Sequence, residues 1–159
     1  MSPNEILIWN LKEVRRRSVN VWRSIPPERL RWKPDAEAMT CIELVRHAPE
    51  CEYLYLYILK HDRRPARGED ASLWTTRPYK SVEAEIEFAE PFRRELLHLV
   101  DSYTPEQISA RMVDWSATGH TVRSVGDFIL RIAYHEAVHT GQLLGYLRMM
   151  NAPRPSLWD

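Results

Sequence analysis

Apolar positions recur every three to four residues along most of the chain, and the strict alternation of a half-buried strand is nearly absent. The pattern predicts four long helices. The first opens at Ser2-Pro3-Asn4-Glu5, a capping box with proline at the first helical position. It runs to about Trp22, with Ile6, Trp9, Val14 and Val21 facing inward, and Pro26-Pro27 ends it. A short turn follows as far as Trp32. The second helix opens at the capping box Thr40-Cys41-Ile42-Glu43 and continues to about Lys60. Its apolar stripe is Thr40, Leu44, His47, Cys51, Leu54 and Ile58, and Pro49 inside it predicts a kink. Residues 62–80 have no periodicity and form the longest loop. Ser81 caps a third helix to about Asp101 through Ile86, Phe92, Leu96 and Val100, which Pro91 should bend or interrupt.

Thr104-Pro105-Glu106-Gln107 begins a short helical piece, residues 112–121 are irregular, and Ser124 opens the last long helix. That helix runs to about Met150, where Asn151 and Pro153 stop it. Long helices with no strands between them predict an all-α, antiparallel four-helix bundle with short connecting helices. The 62–80 loop is long enough to cross the bundle, so simple up-down-up-down order is not required.

The last long helix carries His135-Glu136-Ala137-Val138-His139-Thr140-Gly141-Gln142. Residues four apart are separated by about 40° around a helix axis. His135 and His139 therefore project side by side, on a stripe of Phe128, Ile132, His135, His139, Gln142 and Tyr146. Two inward imidazoles need partners for four ring nitrogens, and one divalent ion would take a nitrogen from each. Among His47, His61, His98 and His120, only His47 sits on a clearly apolar stripe, which makes it the best third ligand. His61 and His98 read as surface residues and His120 as a loop residue. Cys51 is a weak fourth candidate, one turn beyond His47. Three neutral histidines with open positions are the catalytic pattern rather than the closed structural one.

Composition narrows the setting. With 159 residues, 44% hydrophobic and 28% charged, a single globular domain over residues 1–159 is expected. Lys+Arg and Asp+Glu are 22 each, so nothing supplies the cationic surplus of a dedicated nucleic-acid binder. No apolar run approaches the ~20 residues of a membrane span. The start, Met1-Ser2-Pro3-Asn4-Glu5, lacks the features of a secretory signal. Two cysteines, Cys41 and Cys51, make no disulfide framework, so a cytoplasmic protein is expected.

Two metalloenzyme readings compete. His135-Glu136-x-x-His139 matches the zinc-peptidase motif in which the glutamate is the general base. Against it, the metzincin extension would need glycine and histidine where Gln142 and Gly145 stand, and no strand pattern supplies an edge for a peptide. The second reading covers more of the chain. The ending His135-x-x-x-His139-x-Gly141-Gln142-Leu143, followed by Tyr146-Leu147-Arg148 and Asn151-x-Pro153, is one part of it. Trp32-Lys33-Pro34 and Thr40-x-x-Glu43-Leu44-Val45-Arg46-His47 are the others. Together these resemble the DinB/YfiT-like superfamily of four-helix bundles.

The resemblance implies a metal site of His47, His135 and His139 holding zinc, nickel, iron or manganese, and a homodimer. It also implies a small-molecule substrate, with a low-molecular-weight thiol as one class, and a transferase or hydrolase reaction. Pro49 directly after the second-helix histidine departs from the pattern. A non-catalytic, metal-stabilised bundle serving as a binding or stress-response module is the remaining alternative. Gln142 and Glu136 are candidates for supporting roles beside the metal, although Glu136 fits a surface or interhelical ion pair better. Several other residues carry weaker expectations. Gly141 and Gly145 are read as a close-packing seam, Arg15-Arg16-Arg17 and Arg63-Arg64 as solvated faces, and Trp74 as a pocket lid. Arg46 and Arg148 are possible contacts for an anionic substrate.

Overall fold

A computed structural model of the chain describes residues 1–65, 73–114 and 122–157. Four long helices form the body: α1 (Pro3–Arg23), α2 (Cys41–His61), α3 (Val82–Ser102) and α5 (Val125–Met149). A short α4 (Pro105–Ala110) precedes a two-stranded antiparallel ribbon of β1 (Met112–Val113) and β2 (Arg123–Ser124). A 3-10 turn spans Pro27–Arg29.

The caps form where the side chains call for them. Ser2, Thr40 and Thr104 each close a reciprocal capping box, and Ser81 and Ser124 each accept from a first-turn amide. Each such cap contributes about 1 kcal/mol. At the other ends, Asp62 (φ 54°) follows α2 and Asn151 (φ 53°) follows α5 in the left-handed region that ends helices. Neither Pro49 nor Pro91 interrupts its helix. Gly126 permits the approach of α4, because a Cβ there would meet Ile108 Cγ2 at 2.9 Å.

The order of the bundle differs from a simple antiparallel one. Asn4 at the start of α1 donates to the carbonyls of Val100 and Tyr103, while Arg23 at its end pairs with Glu83, so α1 and α3 are antiparallel. Arg46 meets Glu85 and Lys60 meets Glu95, so α2 and α3 are parallel. Arg15 meets Glu136 and Ser18 meets Thr140, so α1 and α5 are parallel. The Tyr55 ring packs against Phe128 while the His47 ring meets His139 edge-on, which makes α2 and α5 antiparallel. The order is therefore up-down-down-up. The link between α2 and α3 must return the length of the bundle, about 30 Å for a 21-residue helix.

Other expectations change as well. On α1 the inward residues are Asn4, Leu7, Leu11, Ser18, Val21 and Trp22, whereas Ile6 and Trp9 are exposed. The side chain of Asn4 satisfies α3 carbonyls and Ser18 bonds Thr140, so a partly polar face wins the core side. Trp74 is no lid. It is buried against Tyr53, Phe88 and Phe92. Gly141 and Gly145 are no seam, because a Cβ at either would meet nothing within 4 Å. Among the described residues no helix is long and apolar enough to cross a membrane.

Candidate metal centre

The antiparallel contact of α2 and α5 brings the predicted trio together. One donor atom from each of His47, His135 and His139 falls in a group whose members all lie within 4.8 Å of one another. The ring centroids of His47 are 5.0 Å from His135 and 4.7 Å from His139, and those of His135 and His139 are 4.4 Å apart. Nε2 of His135 and Nε2 of His139 face each other at 3.0 Å. Two ligands of one tetrahedral ion at ~2.05 Å would sit about 3.3 Å apart, so the spacing fits a shared ion.

The protonation chemistry fits too. Burial, reinforced by His139 and His47, pushes His135 down to about 4, and burial with His139 also lowers His47. These rings are neutral at pH 7, as metal ligands must be. Gln142, although exposed, places Oε1 2.7 Å from Nδ1 of His139. With that nitrogen donating, Nε2 of His139 keeps its lone pair for the cluster.

A stability consequence follows for the metal-free protein. His135 titrates near 6.5 in the unfolded chain but near 4 when folded. Between these values the unfolded chain takes up a proton that the folded one refuses, so folding stability falls as pH drops from 6.5 towards 4. Urea midpoints measured with chelator present should be lower at pH 5 than at pH 7, and the difference should shrink in His135→Ala.

The remaining candidates separate. Sγ of Cys51 is 3.6 Å from both ring nitrogens of His47, and burial pushes its thiol up to about 12. Pro49 therefore does not turn Cys51 away from His47, but the thiol is outside the three-member group. His61 and His98 are exposed, and His61 stacks on Tyr57. His120 lies outside the described residues.

Glu136 points away from its flanking histidines into a buried ion network. Its two oxygens accept from Arg15 Nε at 2.8 Å and Nη2 at 2.9 Å. Arg15 also reaches Glu52 at 3.3 Å, and Glu52 accepts from Arg93. Burial alone would raise the Glu136 carboxyl, but the Arg15 charge and hydrogen bonds, with Arg93 behind them, hold it below its ordinary value. Sequence reasoning put Arg15 on a solvated face. Arg15 falls four residues after Leu11, and only the fold shows that this is the face of α1 that is buried.

Arg46 is likewise committed, being buried against Glu85 and donating to the carbonyls of Arg77 and Pro78. Its guanidinium stacks 3.7 Å from the centre of the Tyr79 ring. Arg148 is exposed on a different surface, near Arg154 and the 155–157 tail. A cavity of about 420 Å³ opens against His47, walled by Lys33, Glu37, Met39, Glu43, Glu50 and Tyr79 among others.

An up-down-down-up bundle with three convergent histidines on facing helices is a helical protein built around a centre that could hold a metal ion. A family model for the DinB superfamily matches residues 10–143, and the chain belongs to that superfamily. Among solved structures it is similar to the crystal structure of a DinB-like protein, YjoA, from Bacillus subtilis. The identity is 18% and the TM-score 0.70, with 96% of this chain and 97% of that chain covered. No curated protein matches the chain.

Proposed function

We propose that the protein is a metal-dependent transferase or hydrolase in which His47, His135 and His139 hold one divalent ion. Zinc or nickel comes first, with iron or manganese as alternatives. The observation that carries this reading is the convergence of three histidines, two of them held neutral by burial, one of which, His47, lines an open cavity. Held there by His47, His135 and His139, an ion would lower the pKa of water or a thiol and would polarise a small electrophile. The chain's own residues prepare that chemistry. Gln142 fixes the His139 ring, and burial keeps the His47 and His135 rings free of protons. The Arg46–Glu85 pair holds Tyr79 as a firm part of the cavity wall.

The peptidase reading loses its base, because Glu136 is buried and bound by Arg15. The non-catalytic reading would use Cys51 as a closing ligand, and a half-exposed three-histidine group beside a cavity favours an open site instead. A small-molecule substrate, a low-molecular-weight thiol among the classes, and a cytoplasmic setting are part of the proposal. The two free thiols support a reducing compartment.

Metal-loaded protein should catalyse attack of 2-mercaptoethanol on 1-chloro-2,4-dinitrobenzene, with the S–H proton and chloride released as the S–C bond forms, or hydrolysis of 4-nitrophenyl acetate. Chelation should remove the activity and added metal should restore it. Activity at full strength after complete metal removal would reject the reading. The homodimer is proposed as well. The exposed row Leu130, Tyr134 and Val138 on α5 is available to a second copy. Light scattering should give twice the chain mass, and Tyr134→Glu should return the monomer.

A further inference from the structure

Arg46, the residue before His47 on α2, works as a clamp. It is 5% exposed and pairs through Nε and Nη2 with the buried Glu85. Its Nη1 and Nη2 also donate to the carbonyls of Arg77 and Pro78. Those two residues lead into Tyr79, whose ring centre lies 3.7 Å from the same guanidinium. Backbone and ring face of this segment are thus both tied to the residue beside His47. Tyr79 remains 36% exposed, and it lines the cavity of about 420 Å³ together with His47. Among the described residues its hydroxyl has no hydrogen-bond partner. Burial outweighs the Arg46 charge and raises that hydroxyl above its ordinary value, so it keeps its proton at neutral pH. Lys33 also lines the cavity, but it is exposed, carries its charge on a flexible stem and spends one N–H on the Ala36 carbonyl.

Resting on the proposed function, we infer that the Tyr79 hydroxyl donates a hydrogen bond to the carbonyl oxygen of an acyl substrate held in this cavity, which makes carbonyl compounds the substrate class of the centre. As water adds to the carbonyl carbon of an ester, the C=O electron pair moves onto that oxygen. The pair returns as the bond to the leaving oxygen breaks, and the protons of the water are released to solvent and to the products. The tyrosine proton stays on its own oxygen throughout. A donor already in place stabilises the charge that grows on the carbonyl oxygen without reorganising at the moment of reaction. The Arg46 clamp supplies that placement, because the ring cannot swing away without giving up its contact with the guanidinium. Tyr79 is the catalytic residue in this assignment, and Arg46 and Glu85 are positioning residues.

The test uses full-length protein loaded with cobalt(II), whose visible absorption reports a ligand reaching the metal. Two probes are titrated into wild type and Tyr79→Phe: acetohydroxamate, which carries a carbonyl oxygen, and imidazole, which binds through nitrogen and has no oxygen. The variant keeps the ring against Arg46 and removes only the hydroxyl. Acetohydroxamate affinity is expected to fall about tenfold in Tyr79→Phe, the loss of one hydrogen bond, with imidazole affinity unchanged. In hydrolysis of 4-nitrophenyl acetate kcat should fall on the order of 100-fold, with KM changed by less than about threefold. Equal acetohydroxamate affinity and equal kcat in the two proteins overturn the role of Tyr79 and leave the metal reading standing. A parallel loss of both probes shows that Tyr79 only holds the wall, and overturns the inference as well. Cobalt bound at full stoichiometry with no spectral response to acetohydroxamate in wild type overturns it too. Wild-type protein that binds no cobalt overturns the proposed function, and this inference with it.

Discussion

Replacing His139 by alanine is expected to take tightly bound divalent metal from about one equivalent per chain to near zero. Structural zinc sites of four ligands contribute roughly 10–16 kcal/mol, so each ligand is worth about 3 kcal/mol, or two orders of magnitude in affinity. His139 also holds two connections at once. Its Nε2 faces His135 and its Nδ1 meets Gln142, so its loss leaves the pair on α5 without a centre. His47→Ala should behave alike, because His47 supplies the only α2 ring in the group. Gln142→Ala should weaken binding by about 10- to 100-fold, the usual effect of removing an orienting partner. Glu136→Gln should leave metal content unchanged, since its carboxylate belongs to the Arg15 network. Elemental analysis of dialysed protein, with circular dichroism to confirm helicity, reads all four. Full metal retention in His139→Ala would sink the three-histidine assignment.

Arg15→Met is expected to be the most destabilising single change outside the apolar core. It leaves Glu136, 2% exposed, without its cation, and removes one of the two partners of Glu52. Breaking one side of a buried pair costs about 3–5 kcal/mol, which for a chain of this size lowers Tm by on the order of 10 °C. Replacing both partners, Arg15→Met with Glu136→Leu, should recover most of the loss, because the cost comes from the stranded charge. Glu136 is held below its ordinary value, so its stabilising contribution is complete above about pH 4.5 and fades as pH falls through the lowered value. Thermal melts at pH 7 and pH 4 test both statements. A drop in Tm of less than about 3 °C for Arg15→Met at pH 7 would show that the network is energetically idle.

How far these features could be read in advance depended on whether the determinant was local. The capping boxes at Ser2, Thr40 and Thr104 were legible because donor and acceptor are three residues apart. His135 and His139 were legible because helix geometry alone places them together. His47 was identified by its apolar stripe, and the packing of α2 against α5 then brought it within reach. What failed was non-local. The face α1 buries is decided by which α3 carbonyls Asn4 can reach and which hydroxyl meets Ser18, and no periodicity in α1 encodes either. Arg15 reads as solvated until Glu136 and Glu52 are seen across the bundle. Trp74 reads as a loop aromatic until the return from α2 to α3 places it on Tyr53, Phe88 and Phe92. The parallel pairing of α2 with α3 depends on where that return lands, which is also outside local pattern.

The helix order has a kinetic meaning. Translation delivers His47 with α2, but its two partners arrive only after α3, α4 and the ribbon have been made. The donor set therefore does not exist in any partial chain that lacks α5. Closing so long a loop costs chain entropy that α5 must repay by packing before an ion can be captured. An ion held by the three histidines would tie α2 to α5 across the stretch of chain that carries α3, α4 and the ribbon. Metal would then act as a fastener on the finished fold, slowing its opening more than it speeds its assembly.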